Sequence, residues 1–203
     1  MSHTLPVRPA PRRALVTALG ERGYLLAYSA VSVAALAWLV AAAGRAPHIE
    51  LWSYAPWQAW GANLLMPASL LLLAFGVGAP NPLSFGSGGA SGFDPERPGV
   101  AGVARHPLLW AIALWALAHA LPNGNLAQAG LFLAFTGLAL LGMRIIDRRK
   151  RRLLGEAEWR RLAARTSLWP FAALLSGRWR PRAPPGPLPC CWRGSRWSRC
   201  TPG

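Results

Sequence analysis

Between Leu25 and Ala43 the chain carries no charged side chain, and a second uncharged stretch runs from Gly61 to Phe93. A helix needs about 20 apolar residues to cross the hydrocarbon core of a bilayer, and lipid offers the backbone no partner outside such a helix. These stretches therefore limit the fold to helices in a membrane. The charge pattern agrees. The 203 residues hold 22 Lys+Arg against 7 Asp+Glu, a formal net charge of +15. A nucleic-acid binder of that charge spreads its bases along an exposed face. Here they gather at the ends of apolar blocks, most densely from Arg144 to Arg165, as in a membrane protein. No nucleic-acid partner is expected, and 53% hydrophobic residues exclude a disordered chain.

The pattern predicts an all-α, polytopic transmembrane helix bundle with about four spans, at Tyr24–Ala43, Trp57–Gly78, His106–Leu121 and Leu126–Ile146. Pro67 is expected to kink the second span, while Trp52, Tyr54, Trp57 and Trp60 supply an interfacial aromatic belt. Pro122-Asn123-Gly124 makes the last two spans an antiparallel hairpin. Four regions follow: a basic segment at 1–23, the transmembrane domain at 24–147, a basic amphipathic cytoplasmic helix at 148–177 lying on anionic lipid, and a disordered Pro/Arg-rich tail at 178–203. The Gly/Ser/Pro-rich loop from Ala79 to Val103 reads as a mobile cytoplasmic loop, a candidate gate. Basic residues crowd before the first span, in the loop carrying Arg97 and Arg105, and after the last span. Both termini are thus expected in the cytoplasm. The N-terminus has no apolar core before a cleavage site, so no signal peptide is expected.

An ionisable group inside a bilayer is costly and raises the question of what it does. The predicted spans contain no carboxylate, which leaves paired-carboxylate chemistry and a Ser-His-Asp triad without members. Cys190, Cys191 and Cys200 fit neither a zinc site nor a redox pair. Histidine remains. Arg105 and His119 fall within about 40° of each other on one helix face, with Ile112 and Trp115 between them. On the first span Tyr24, Tyr28 and Ser32 form a polar stripe expected to meet its counterpart inside the bundle. His106 and His119 are roughly 20 Å apart along the helix, so they cannot share one metal. The topology pairs His3 with His106 on one side of the membrane and His48 with His119 on the other. Two histidines from neighbouring helices suit haem iron. The plainer alternative is that His106 caps its helix or binds lipid phosphate beside Arg105, and that His119 bonds a neighbouring helix. Met66 and Met143 read as core, Arg144 and Asp147 as a surface pair. Tyr28, Trp38 and Trp115 line an apolar ligand pocket or simply pack.

Gly-Glu-Arg-Gly-Tyr at 20–24, Tyr-Ser-Ala-Val-Ser at 28–32, Gly-Arg-Ala-Pro at 44–47, Leu-Trp at 51–52, Arg-His-Pro at 105–107, and Trp-Ala-Leu-Ala-His with Asn-Gly over 115–124 stand in this order along the chain. Together they resemble the NnrU family of bacterial membrane proteins, to which zeta-carotene isomerase is related. The resemblance covers roughly Pro9 to Leu175. It implies an integral protein of the bacterial inner membrane, binding haem b and serving nitrite and nitric oxide reduction in denitrification as an accessory or sensor. The isomerase branch implies instead haem-dependent cis–trans isomerisation of a carotenoid-like polyene, and a cofactor-free structural bundle is the third reading. By the same resemblance His106 is the most transferable iron ligand, His119 matches the second family histidine, and His3 stands where another helix usually ends in histidine. Arg105 would pair with a haem propionate. A lipid bilayer, an apolar polyene and nitric oxide are the partners so implied. Two departures, a missing first helix and a missing last one, suggest an internal start at Met1 and a frameshifted tail.

Overall fold

Proline and glycine set where the helices begin and break. The computed structural model describes residues 9–86, 91–181, 190–193 and 196–199. Helix α1 (Pro9–Arg45) is interrupted at Gly20, whose φ of 70° and ψ of 167° lie outside helical space. Helices α2 (Pro56–Gly76) and α4 (Pro107–Ala120) each open on proline, where a missing N–H costs nothing and φ is already helical. Between them α3 (Val100–Val103) forms a single turn. Helix α5 (Leu126–Leu154) runs on past the predicted span and stops before Gly155, at φ 82°, which leads into α6 (Glu156–Ala163). A last turn, α7 (Ala172–Leu175), follows.

Three helices, over Leu15–Arg45, Pro56–Gly76 and Leu126–Leu154, are long and apolar enough to cross a membrane. Helix α4 has 14 residues, about 21 Å of rise, and is the shorter fourth member. The architecture is thus the expected all-helical membrane bundle. In the tail, where disorder is expected, β1 (Cys190–Arg193) pairs antiparallel with β2 (Arg196–Arg199), Cys190 opposite Arg199.

The chain divides into two units, one of Met1–Tyr54 with Asn123–Leu131 and one of Ala55–Pro122 with Phe132–Gly203. In the first, none of the apolar window of α1 is buried, and Leu26 is 73% exposed. Lipid removes such surface from water. The polar stripe of α1 is partly satisfied within its own helix: Ser32 donates to the Tyr28 carbonyl at 2.8 Å, and the Tyr24 and Tyr28 rings stack 6.2 Å apart. The Leu51 N–H donates to the Gly124 carbonyl at 2.7 Å and the Leu126 N–H to the Ile49 carbonyl at 2.8 Å. Gly124 must be glycine, because a Cβ there would run into the Trp52 carbonyl.

In the second unit α2 and α4 run antiparallel in close contact. A Cβ on Gly61 would lie 3.1 Å from Leu121 Cδ1, and one on Gly76 would lie 3.0 Å from Pro107 Cβ. Small residues at such a crossing let helices approach where lipid gives no hydrophobic drive. Ser69 adds a buried hydrogen bond to the Ala111 carbonyl at 2.7 Å. On its other side α4 places Leu109 and Ala113 against Ala139 and Met143 of α5, so the expected antiparallel hairpin forms and Met143 is core.

The segment after α5 corrects two expectations. Residues 148–177 do not form one amphipathic helix on lipid. Trp159, Leu162 and Ala163 turn inward and cluster with Leu83 and Phe93. Nor does 79–103 read as a gate, because Asn81, Leu83, Ser84 and Ala101 are buried. The two segments bury each other's apolar residues, which a lone helix gives up only to lipid. Backbone bonds hold the return segment across α3 and the start of α4: Phe171 N–H to the Val103 carbonyl and Arg105 N–H to the Ser167 carbonyl, both 2.8 Å.

Trp179 closes over Gly102, where an added Cβ would lie 2.6 Å from the indole. Gly102→Ala is expected to cost about 1–3 kcal/mol by overpacking, seen as a lower thermal midpoint in detergent. An unchanged midpoint would show that the indole is free to move.

Candidate functional site

Arg105 and His106 sit at the turn between α3 and α4, where the backbone is not yet helical. His106 occupies the position before α4, with φ −118° and ψ 70°, but its side chain makes no capping bond. Its ring is fully buried. Nε2 lies 3.0 Å from Asp147 Oδ1 and Nδ1 lies 3.0 Å from Ser84 Oγ. A carboxylate only accepts, so Nε2–H donates to Asp147. In the neutral ring Nδ1 then accepts from the Ser84 hydroxyl.

Arg105 completes the cluster. Its guanidinium donates to Asp147 Oδ2 at 2.6 Å and to Thr166 Oγ1 at 2.9 Å. It also lies 4.9 Å from the centre of the Trp159 ring, over which Arg151 stacks at 4.0 Å. The Arg105 carbonyl accepts from Asn81 Nδ2 at 2.9 Å, while Asn81 Oδ1 accepts from the Leu83 N–H at 3.0 Å. Burial draws the Arg105 guanidinium below its ordinary pKa, and Asp147 opposes this. The arginine stays charged.

Asp147 is therefore not the surface partner of Arg144. The two are three residues apart on α5, but Asp147 faces inward and spends both oxygens on Arg105 and His106, leaving Arg144 exposed. Asp147 falls one residue beyond the span expected from the sequence, which offers it only as a surface partner, and Ser84, Asn81, Thr166 and Trp159 are not among the expected site residues. One signal was available: Asp147 is the single acid between Glu96 and Glu156, on the same side of the membrane as Arg105.

Of the four candidate residues, Arg105 and His106 meet on Asp147. His3 lies outside the described residues. His119 is at the far end of α4, its Nδ1 2.8 Å from the Trp115 carbonyl and its ring 4.8 Å from that of Trp115 and 5.0 Å from that of Phe132. Among the described residues no group of three or more His, Cys, Asp or Glu could hold a metal. Iron ligation needs an open ring nitrogen. Both nitrogens of His106 face protein partners in this conformation, and Arg105 is taken by Asp147 and Thr166 rather than open to a propionate. The arrangement around His106 does not fit haem.

The second unit also holds an apolar cleft of about 540 Å³, lined by Leu71, Leu72 and Phe75 of α2, Leu114 of α4, Val103 and Phe171. Phe171 has a positive φ of 61°, a costly conformation for a bulky side chain. Its N–H bond to Val103 holds it there. The aromatic residues proposed for a pocket are elsewhere: Tyr28 and Trp38 are exposed on α1, and Trp115 packs against Phe132 and Phe135.

Helices of this length and composition define a polytopic helical membrane protein. Its family follows from nearly the whole chain. Residues 1–181 match the family described as NnrU protein, and the chain belongs to that family. It is also similar to the chloroplastic 15-cis-zeta-carotene isomerase of Arabidopsis thaliana, 36% identical over 80 residues. That stretch is 39% of this chain and 22% of the relative, so the chain spans about a fifth of the relative's length. No solved structure matches.

Removing one partner of a buried ion pair costs about 3–5 kcal/mol, because the other charge is left without compensation. Asp147→Ala is expected to lower the thermal midpoint in detergent sharply. In lipid-free detergent Arg144→Ala, at an exposed position, is expected to change stability by no more than about 0.5 kcal/mol. Equal effects of the two would refute this assignment of the pair.

Proposed function

We propose that this NnrU-family membrane protein takes a long apolar chain of the polyene class into the cleft beside Phe171, and that its activity is cis–trans isomerisation of that chain. The observation that carries this reading is the cleft itself. At about 540 Å³ it is within the range of small-molecule sites, no charged side chain lines it, and α2 supplies one wall and α3 with the return segment the other. A ligand dissolved in lipid would reach it without crossing water. The likeness to a 15-cis-zeta-carotene isomerase supports the substrate class. Within the cleft the chain's own residues bind and orient. Leu71, Leu72 and Phe75 offer dispersion contacts and Phe171 closes one side, excluding water from the polyene.

The accessory or sensor role in denitrification draws on haem b at His106 and asks for a free ring nitrogen, whereas Ser84 engages Nδ1 and Asp147 engages Nε2. In the bacterial inner membrane the basic residues would keep both termini on the cytoplasmic side, which reporter fusions at each end read directly.

The test supplies a 15-cis polyene to the purified protein in lipid and follows bound polyene and its isomers by chromatography. Wild type is expected to retain the polyene and Leu72→Trp, which fills the cleft, to lose most of it. Equal retention would sink the cleft as the binding site, and retention without isomer change would sink the activity. An absorption spectrum of the same sample, oxidised and then reduced, addresses haem. A Soret band lost in His106→Ala would mean that the ring exchanges a hydrogen bond for iron; its absence leaves His106 in the buried pair.

A further inference from the structure

The balance of charge at the Arg105 end of the second unit leaves cations that the chain's own acids do not neutralise. Five of the seven acids lie there, and each is committed. Asp94 pairs with Arg97 at 2.8 Å, Glu96 with Arg165, Asp147 with Arg105 and His106, Glu156 with Arg160 at 2.8 Å and Arg151 at 3.5 Å, and Glu158 with Arg161 at 2.7 Å. Arg144 and Arg148 are exposed and have no carboxylate partner among the described residues. Neither guanidinium is neutralised within the described residues, which leaves both able to take an external anion.

Arg144 also lines a second groove, distinct from the polyene cleft. This cavity of about 210 Å³ is bounded by Gly137, Leu140 and Leu141 of α5, by Trp110 of α4, and by Leu168 and Trp169 of the return segment. The wall is pinned: the Trp110 Nε1–H donates to the Leu168 carbonyl at 2.8 Å, and the Trp110 and Trp169 rings lie 5.6 Å apart. Gly137, Leu141, Arg144 and Arg148 recur at four-, three- and four-residue steps and so lie along one stripe of α5. The stripe passes from a glycine with open space above it, through leucine, to two arginines. Arg144 is about 27 Å along the helix from Leu126, close to the thickness of the hydrocarbon core, and tryptophan is favoured at that depth.

An apolar trough ending in unneutralised guanidinium groups at headgroup depth has the chemistry of one ligand. We propose that the groove seats an acyl chain of an anionic phospholipid, whose phosphate is held by Arg144 and, one turn further, by Arg148. Guanidinium matches phosphate by paired N–H donors, and each base near a lipid surface favours anionic headgroups. The bound lipid would fasten the return segment to α5, where protein contacts alone leave a cavity.

The test purifies the full chain from an equal mixture of phosphatidylglycerol and phosphatidylcholine and measures the co-purified lipids by mass spectrometry. Wild type is expected to enrich phosphatidylglycerol, and Arg144→Gln to lower that enrichment about fivefold. Arg144→Lys should keep most of it, which separates loss of charge from loss of fold. Gly137→Leu, which projects a side chain into the trough, should reduce retention of phosphatidylglycerol with both arginines present. An enrichment unchanged in Arg144→Gln would overturn the headgroup assignment. Full retention in Gly137→Leu, or displacement of the lipid by water-soluble glycerol phosphate, would reduce the site to a phosphate contact and overturn the seated chain.

Discussion

The contact between Arg105, Asp147 and His106 is what the Arg105 end of the second unit depends on. Taking a guanidinium and a carboxylate out of water is expensive, and the cost is offset only when both are fully engaged. Here they are. Asp147 accepts from the arginine with one oxygen and from the imidazole with the other. Arg105 reaches Thr166 as well, and His106 reaches Ser84. The cluster therefore draws on four separate segments: the loop after α2, the start of α4, the end of α5 and the turn after α6. An alternative register of α5 on α4 would strand at least one charge in the interior.

The packing of α4 has the same logic on a gentler scale. With 14 residues it is short for a bilayer crossing, and it is clothed by α2 on one side and α5 on the other. Alanine and glycine let the backbones come close, so dispersion takes the place of the hydrophobic drive that lipid removes. The return segment then lies across the end of this layer, hydrogen-bonded at Val103, Arg105 and Trp110. It does not fill the space beneath it. The apolar cleft beside Phe171 and the smaller groove beside Arg144 are both lined by this strap, the first without a charged side chain and the second with one.

Much of the fold is legible in the residues. The uncharged stretches, the prolines at 56 and 107 and the Asn-Gly turn at 123–124 correspond to helices and breaks that the structure contains. The Leu-Trp and Asn-Gly pairs that carry the family resemblance meet at Trp52 and Gly124. The site was less legible. Arg105 and His106 stand out because ionisable groups in or against a span are few and costly, but their partners do not. Asp147 lies among arginines, where a surface pair with Arg144 is the local reading, and which way it faces depends on the rotation of α5. Trp159 and Leu162 show an amphipathic pattern that serves equally for lipid and for a protein core.

The sequence by itself determined that this chain is a bundle of membrane helices with basic ends, because a helix satisfies its backbone locally and its preference for lipid is a sum over its own side chains. Tertiary structure alone decided what the charged residues do. Whether His106 faces a ligand or a carboxylate depends on a contact with Asp147 across 41 residues of sequence. Such a contact is set by the relative rotation and depth of two helices, and no local propensity encodes either quantity.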